Sequence, residues 1–143
     1  MNILILGSGI VGANLAKKLS EQGKNVFLLD DDANELKNLS ERFDIKTIFD
    51  DPLNPSFYKN FDAKIDYFIA VTRSDEKNII TSKFAKEFLN VDKSIARVRN
   101  QNLILDENKS LLIESNSFLD YIISPEWEAV SYTHLTLPTT PVV

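Results

Sequence analysis

At 143 residues, 43% of them hydrophobic and 26% charged, the chain has the size and apolar fraction of one globular domain with a core of ordinary size. It holds no cysteine, which excludes disulfides, thiolate metal sites and a cysteine nucleophile and fits a reducing compartment. A formal net charge of -5 argues against nucleic acid or an anionic lipid surface as partner, since either needs a clustered basic face. The apolar runs are far shorter than a membrane-spanning helix requires and no basic-then-apolar leader precedes them, so a cytoplasmic location is expected.

The first apolar run, residues 3–6, lacks the polar alternation of a half-exposed strand and reads as a strand buried on both faces. It leads into Gly7-Ser8-Gly9-Ile10-Val11-Gly12, a G-x-G-x-x-G turn, and then a segment with Val11, Leu15 and Leu19 at helical spacing. In such a turn Gly7 permits the sharp bend, Gly9 lets the backbone approach a pyrophosphate, and Gly12 lets the helix pack on the strand. The helix start offers unpaired N–H groups to an anion, with Ser8, Ile10 and Val11 filling the turn. A second run, residues 26–29, ends at Asp30, where a carboxylate is placed to accept hydrogen bonds from both hydroxyls of a ribose. Asp30-Asp31-Asp32 also reads as the cap of the helix that follows, with Ala33, Leu36, Leu39 and Phe43 at helical spacing. Gly7, Ser8, Gly9, Ile10, Val11 and Gly12 of the turn are cofactor-binding candidates, with Gly7, Gly9 and Gly12 expected to hold phosphate, and so are Asp30 and Asp31. Three adjacent carboxylates with no nearby Arg repel a 2′-phosphate and favour NAD(H) over NADP(H); an adenine nucleotide without nicotinamide, ATP or ADP, is equally compatible.

The third run, residues 47–49, precedes a segment, residues 51–61, in which Pro52 and Pro55 predict a loop with a short helical turn. The fourth run, residues 67–71, precedes a helix carrying Ile80, Phe84 and Phe88. The fifth, residues 95–98, carries Arg97; Arg97 and Arg99 are expected on opposite faces, one neutralising buried or ligand charge and the other solvated. A sixth run lies at residues 111–113. Strand and helix in alternation require a parallel sheet with helices on both faces: a Rossmann-like, doubly wound α/β fold of about six strands. From Ser131 onward the chain has no Asp, Glu, Lys or Arg. Residues 131–143 are therefore read as a non-native tail, His134 is discounted with it, and the domain is set at residues 1–130.

Four segments carry a family resemblance: residues 1–7 with the glycine turn, Ala70-Val71-Thr72-Arg73-Ser74-Asp75-Glu76-Lys77-Asn78, Ile95-Ala96-Arg97-Val98-Arg99, and Ile122-Ile123-Ser124-Pro125-Glu126. In these the chain resembles the N-terminal domain of the bacterial Trk-type potassium-uptake regulators, also called the RCK or KTN domain. The resemblance implies a regulatory, NAD(H)- or adenine-nucleotide-binding subunit. It would act from the cytoplasmic side on an integral membrane potassium transporter and be peripheral at the inner face of the membrane through that partner. A homo-oligomer, dimer or tetramer, is implied and catalysis is not. Thr72 and Arg97 would line the pocket, while Thr72, Asp75 or Ser74 equally well cap the following helix. Ser124-Pro125-Glu126 would open a crossover helix that pairs two subunits, with Glu126 either near phosphates or merely compensating the helix dipole.

The chain departs from that family after the third strand. A loop usually built from small residues reads Asp50-Asp51-Pro52-Leu53-Asn54-Pro55, in which Asp51 and Pro55 alone fall on familiar residues, so the adenosine side is expected to be altered or weak while Asp51 stays a cofactor candidate. Ile10 stands where ATP-preferring relatives carry Arg, which favours NAD(H). Two rival readings remain: a fragment of a soluble NAD-dependent oxidoreductase and a ligand-free structural module. The first lacks a proton donor beside the nicotinamide, since there is no native His or Cys and no Tyr followed four residues later by Lys.

Overall fold

The computed structural model describes residues 1–100 and 118–123. In chain order these form β1 (Asn2–Leu6), α1 (Ile10–Glu21), β2 (Asn25–Asp30), α2 (Ala33–Arg42), β3 (Lys46–Phe49), α3 (Pro55–Asn60), β4 (Tyr67–Ala70), α4 (Asp75–Phe84) with a π-helical turn at Ala85–Leu89, β5 (Lys93–Arg97) and β6 (Tyr121–Ile123). The expected strand at residues 111–113, Ser124-Pro125-Glu126, and the tail with His134 lie outside the described residues. The sixth strand of the sheet is Tyr121–Ile123, a three-residue edge whose apolar run is too short to read as a strand by periodicity alone.

All five strand pairings are parallel and the order is β3-β2-β1-β4-β5-β6. The two-residue period of β1 divides its side chains between two layers. Ile3 and Ile5 pack with Leu15 and Leu19 of α1 and with Leu36 and Leu39 of α2. Leu4 and Leu6 pack on the opposite face with Tyr58 of α3 and with Ala85 and Leu89 of the π-helical turn. Both faces of the sheet are covered, which is why its strands are continuously apolar; truncating one such buried aliphatic to Ala costs roughly 2–5 kcal/mol.

The helix after β4 departs from the sequence reading. Its apolar residues Ile80 and Phe88 stay 46% and 37% exposed, and its buried residues are Asn78, Thr81 and Ser82. Small polar side chains let α4 sit close to β4 and β5. Thr81 Oγ1 and Ser82 Oγ satisfy themselves by donating to the carbonyls of Lys77 and Asn78, both at 2.7 Å. Of the expected apolar stripe, Phe84 alone packs inward, its ring centre 5.5 Å from that of buried Tyr58, while Ile80 and Phe88 mark the outer side, where Lys59 stacks on Phe88 with Nζ 4.9 Å from the ring centre. Ala33, expected in the inner stripe of α2, is likewise exposed.

Candidate functional site

β1 and β4 are neighbours, and the chain leaves them toward β2 on one side and β5 on the other. Strand-end loops diverge at such a point and open a crevice beyond the carboxyl ends of the strands. Here that crevice is a cavity of about 840 Å³, within the range of small-molecule and cofactor sites.

The glycine turn forms its floor. Gly7 has φ +117°, a conformation that L side chains rarely adopt. At Gly12 a Cβ would lie 1.6 Å from Gly7 O, so α1 could not start where it does. Gly12 therefore serves packing and does not border the cavity, whereas Gly7, Ser8, Gly9, Ile10 and Val11 do. Gly9 is different: a Cβ there would meet no atom within 4 Å. It is also the N-cap of α1 and makes no side-chain cap bond, and no acidic residue stands in that helix's first turn. The starts of α2, α3 and α4 are each closed by a side chain, Asp32, Asn54 and Ser74. The positive end of α1 faces the cavity without such a partner.

Asp30 closes the adjoining side. Its Oδ2 accepts from the Ser8 amide at 2.6 Å and the Ser8 hydroxyl at 2.8 Å, and its Oδ1 accepts from the Asp32 amide at 3.0 Å. A carboxylate offers about four lone-pair directions, so one on Oδ1 remains for a further donor. Burial pushes the Asp30 carboxyl up, but the bonds from the Ser8 hydroxyl and amide, the interaction with the Asp31 side chain and the bond from the Asp32 amide hold it below its ordinary value. Asp31 also borders the cavity, while Asp32 caps α2 by accepting from the Glu35 amide at 3.2 Å. All three aspartates border the cavity, and Asp32 serves as the cap as well.

Thr72 and Arg97 reach the cavity from β4 and β5. The Thr72 hydroxyl donates to Asn78 Oδ1 at 2.6 Å and accepts from the Ser74 amide at 3.2 Å. Ser74, not Thr72, caps α4 by accepting from the Lys77 amide at 3.1 Å. Arg99 borders the same cavity as Arg97, which corrects the expectation of opposite faces. Side chains two residues apart on an extended chain point the same way. The Asp75 carboxylate then grips that chain, accepting from the amides of Arg99 at 3.0 Å and Asn100 at 2.8 Å.

The loop at residues 50–54 is held by local bonds. Asp51 stays outside the cavity lining: its amide donates to Asp50 Oδ1 at 2.7 Å and its own Oδ1 accepts from the Leu53 amide at 3.0 Å. Pro52 takes the place at the cavity wall. The buried Tyr58 hydroxyl donates to Pro52 O at 2.7 Å; burial, then the charges of Asp51 and Asp50, push this phenol well above its ordinary pKa.

Sequence reasoning did not single out Arg42, Arg73 and Lys77, all at the cavity, whereas it read Pro52 as part of the altered wall loop. Arg73 and Lys77 stood inside a quoted segment, but their direction depends on the turn after β4, which periodicity does not set. The result is a polarised cavity. Asp30, Asp31, Asp32 and Glu35 lie toward β2 and α2, where Arg42 of α2 is the one cation on that side among the described lining residues and corrects the expectation of no Arg near the aspartates, and Arg73, Lys77, Arg97 and Arg99 lie toward β4 and β5.

Residues 3–125 match the family described as the TrkA-N domain. The chain is 33% identical over 127 residues to the Trk system potassium uptake protein TrkA of Haemophilus influenzae, covering 88% of this chain and 28% of that protein. It thus spans little more than a quarter of that relative's length. Its fold is similar to the NAD(P)-binding domain of an exopolyphosphatase-related protein from Archaeoglobus fulgidus, with TM-score 0.69, 20% identity and 92% of each chain covered. It is also similar to the GsuK channel bound to NAD, with TM-score 0.63, 20% identity, and 72% of this chain and 19% of that chain covered.

Proposed function

Since this chain belongs to the TrkA-N domain family, we propose that it is a regulatory domain whose cavity takes up NAD(H) and passes its occupancy to a membrane potassium-uptake transporter. The observation that carries this reading is the junction of Gly9 and Asp30. At Gly9 nothing in the protein requires the absence of a side chain. The neighbouring helix start lacks a side-chain cap, and a carboxylate with an acceptor position to spare stands beside it. A pyrophosphate on the amides of Gly9, Ile10 and Val11, with a ribose hydroxyl donating to Asp30, accounts for all three features.

In this reading Gly7 shapes the turn, Ser8 orients Asp30, Asp31 borders the ribose, and Thr72 and Arg97 flank the far half of the dinucleotide. Asp51 acts through the backbone of its loop rather than by touching the ligand. The domain binds rather than transforms: no cysteine is present, and none of the described residues that line the cavity is a His or a Tyr. The transporter partner and a homo-oligomeric native state belong to the same proposal, since coupling a ligand to a distant pore needs two states of an interface. Among the described residues no helix is long and apolar enough to cross a membrane, which is compatible with docking to such a partner from the cytoplasm.

Calorimetric titration with NADH, NAD, ATP and ADP tests the reading, with Asp30→Ala as the control for ribose recognition. The expected result is NADH binding in the parent and its loss in Asp30→Ala. Absence of binding for all four nucleotides would favour the ligand-free structural module, and turnover of NADH with an acceptor would favour the oxidoreductase fragment.

A further inference from the structure

The pairing of β4 with β5 ends at Ala70 and Ala96, yet the two chains continue side by side toward the cavity. What joins them there is one buried side chain, Asn78 of α4, which is fully shielded from solvent. Its Oδ1 accepts from the Thr72 amide at 3.0 Å and from the Thr72 hydroxyl at 2.6 Å. Its Nδ2 donates to Thr72 O at 3.0 Å and to Arg97 O at 2.8 Å. A carboxamide is a peptide group in miniature, with one acceptor and two donors in a plane. All of that capacity is used, and it is used on the two residues that bring β4 and β5 to the cavity wall.

We infer that Asn78 is a positioning residue for the ligand cavity, a side-chain rung that continues the β4–β5 ladder past its last backbone pair and sets where Thr72 and Arg97 stand. The inference rests on the nucleotide-binding reading above for its effect on affinity, but its geometric content does not. No other side chain type of this size serves. Asp lacks the Nδ2 donors, Leu lacks both functions, and Gln is one methylene too long for a site with no accessible surface. Ser82, one turn later and equally buried, supplies the contrast: its hydroxyl donates to Asn78 O at 2.7 Å and touches neither Thr72 nor Arg97.

The test compares the 143-residue chain with its Asn78→Asp, Asn78→Leu and Ser82→Ala variants by NADH titration and by amide hydrogen exchange, after circular dichroism has shown each to be folded. Asn78→Asp turns an oxygen toward the carbonyls of Thr72 and Arg97. NADH affinity should fall on the order of tenfold or more at pH 8 and recover as the pH is lowered and the new carboxyl takes up a proton it can donate. Ser82→Ala should lose stability and keep the parental affinity. The Thr72 amide keeps its acceptor in Asn78→Asp and loses it in Asn78→Leu, so its exchange should stay slow in the first and become fast in the second, while the Asn2 and Ser94 amides at the other end of the sheet stay protected.

A folded Asn78→Asp that keeps parental affinity overturns the inference, as does slow Thr72 exchange in a folded Asn78→Leu or equal weakening of affinity in Ser82→Ala. Failure of the parent itself to bind NADH would sink the functional reading instead. Thr72 exchange would then decide the positioning role without a ligand.

Discussion

The two ends of the sheet are built from the same residue types and do opposite things. At the amino ends of the strands, Asp66 Oδ2 accepts from the Asn2 amide at 2.8 Å and Asp120 Oδ2 accepts from the Ser94 amide at 2.8 Å. Lys86 Nζ lies 2.8 Å from that same Asp120 oxygen, and the Asn25 side chain donates to Asn2 Oδ1 at 3.0 Å. Carboxylates there close strand ends. At the carboxyl ends Asp75 closes a chain in the same way, but Asp30 keeps an acceptor position and stands beside a helix start with no side-chain cap. What separates a structural carboxylate from a candidate ligand group is therefore the remaining hydrogen-bond capacity, together with the space in front of it.

The sharpest way to break that comparison is within the glycine turn. Gly12→Ala should cost more than about 3 kcal/mol or prevent folding, because the new Cβ collides with backbone, which urea denaturation measures. Gly9→Ala should leave stability unchanged or raise it by a few tenths of a kcal/mol, while NADH affinity drops on the order of tenfold or more. If both variants lose only stability, the carboxyl end is as purely structural as the amino end.

Tyr58→Phe sharpens the comparison next. It leaves Pro52 O without its partner inside the core and should destabilise by roughly 1–2 kcal/mol. It should also weaken NADH binding about threefold or more through the relaxed wall loop, read by the same two assays. Unchanged affinity would mean that the loop at residues 50–54 forms no working wall.

The smallest effect expected is electrostatic. The folded Asp30 carboxyl titrates below its ordinary value, so its ionised form stabilises the fold. That contribution is fully present above the ordinary aspartate range of roughly pH 4 and is lost as pH falls through the folded value. In urea denaturation series from neutral pH into acid, the stability gap between parent and Asp30→Asn should shrink below that range. A gap constant with pH would show that Ser8 does not stabilise the carboxylate.

Much of the top of the molecule was legible in advance because its constraints are local. A positive-φ bend and a close helix approach admit Gly at Gly7 and Gly12, and the position of Asp30 follows from where an apolar run stops. Ser74 as a cap was readable for the same reason, being three residues from the amide it bonds. The placement of Arg97 and Arg99 on one side was legible too, since it follows from the strand period, although the opposite was expected. Ile80 and Phe88 misled, although Phe84 between them does pack on the core, because apolar spacing identifies a face without saying how much of it another element covers.

From its sequence alone, this protein was determined to be a parallel α/β domain with a glycine turn and an acidic strand end, since strand burial, helix spacing and bend geometry each depend on residues a few positions apart. Only the tertiary structure decided that Pro52 rather than Asp51 meets the cavity, that Arg73 and Lys77 join Arg97 and Arg99 at one pole, and that Asn78 bridges Thr72 to Arg97, a residue nineteen positions further along the chain than Asn78 itself. These depend on how α3 and α4 settle against strands distant in sequence. A buried polar group finds its partner through space, and no local pattern records which one.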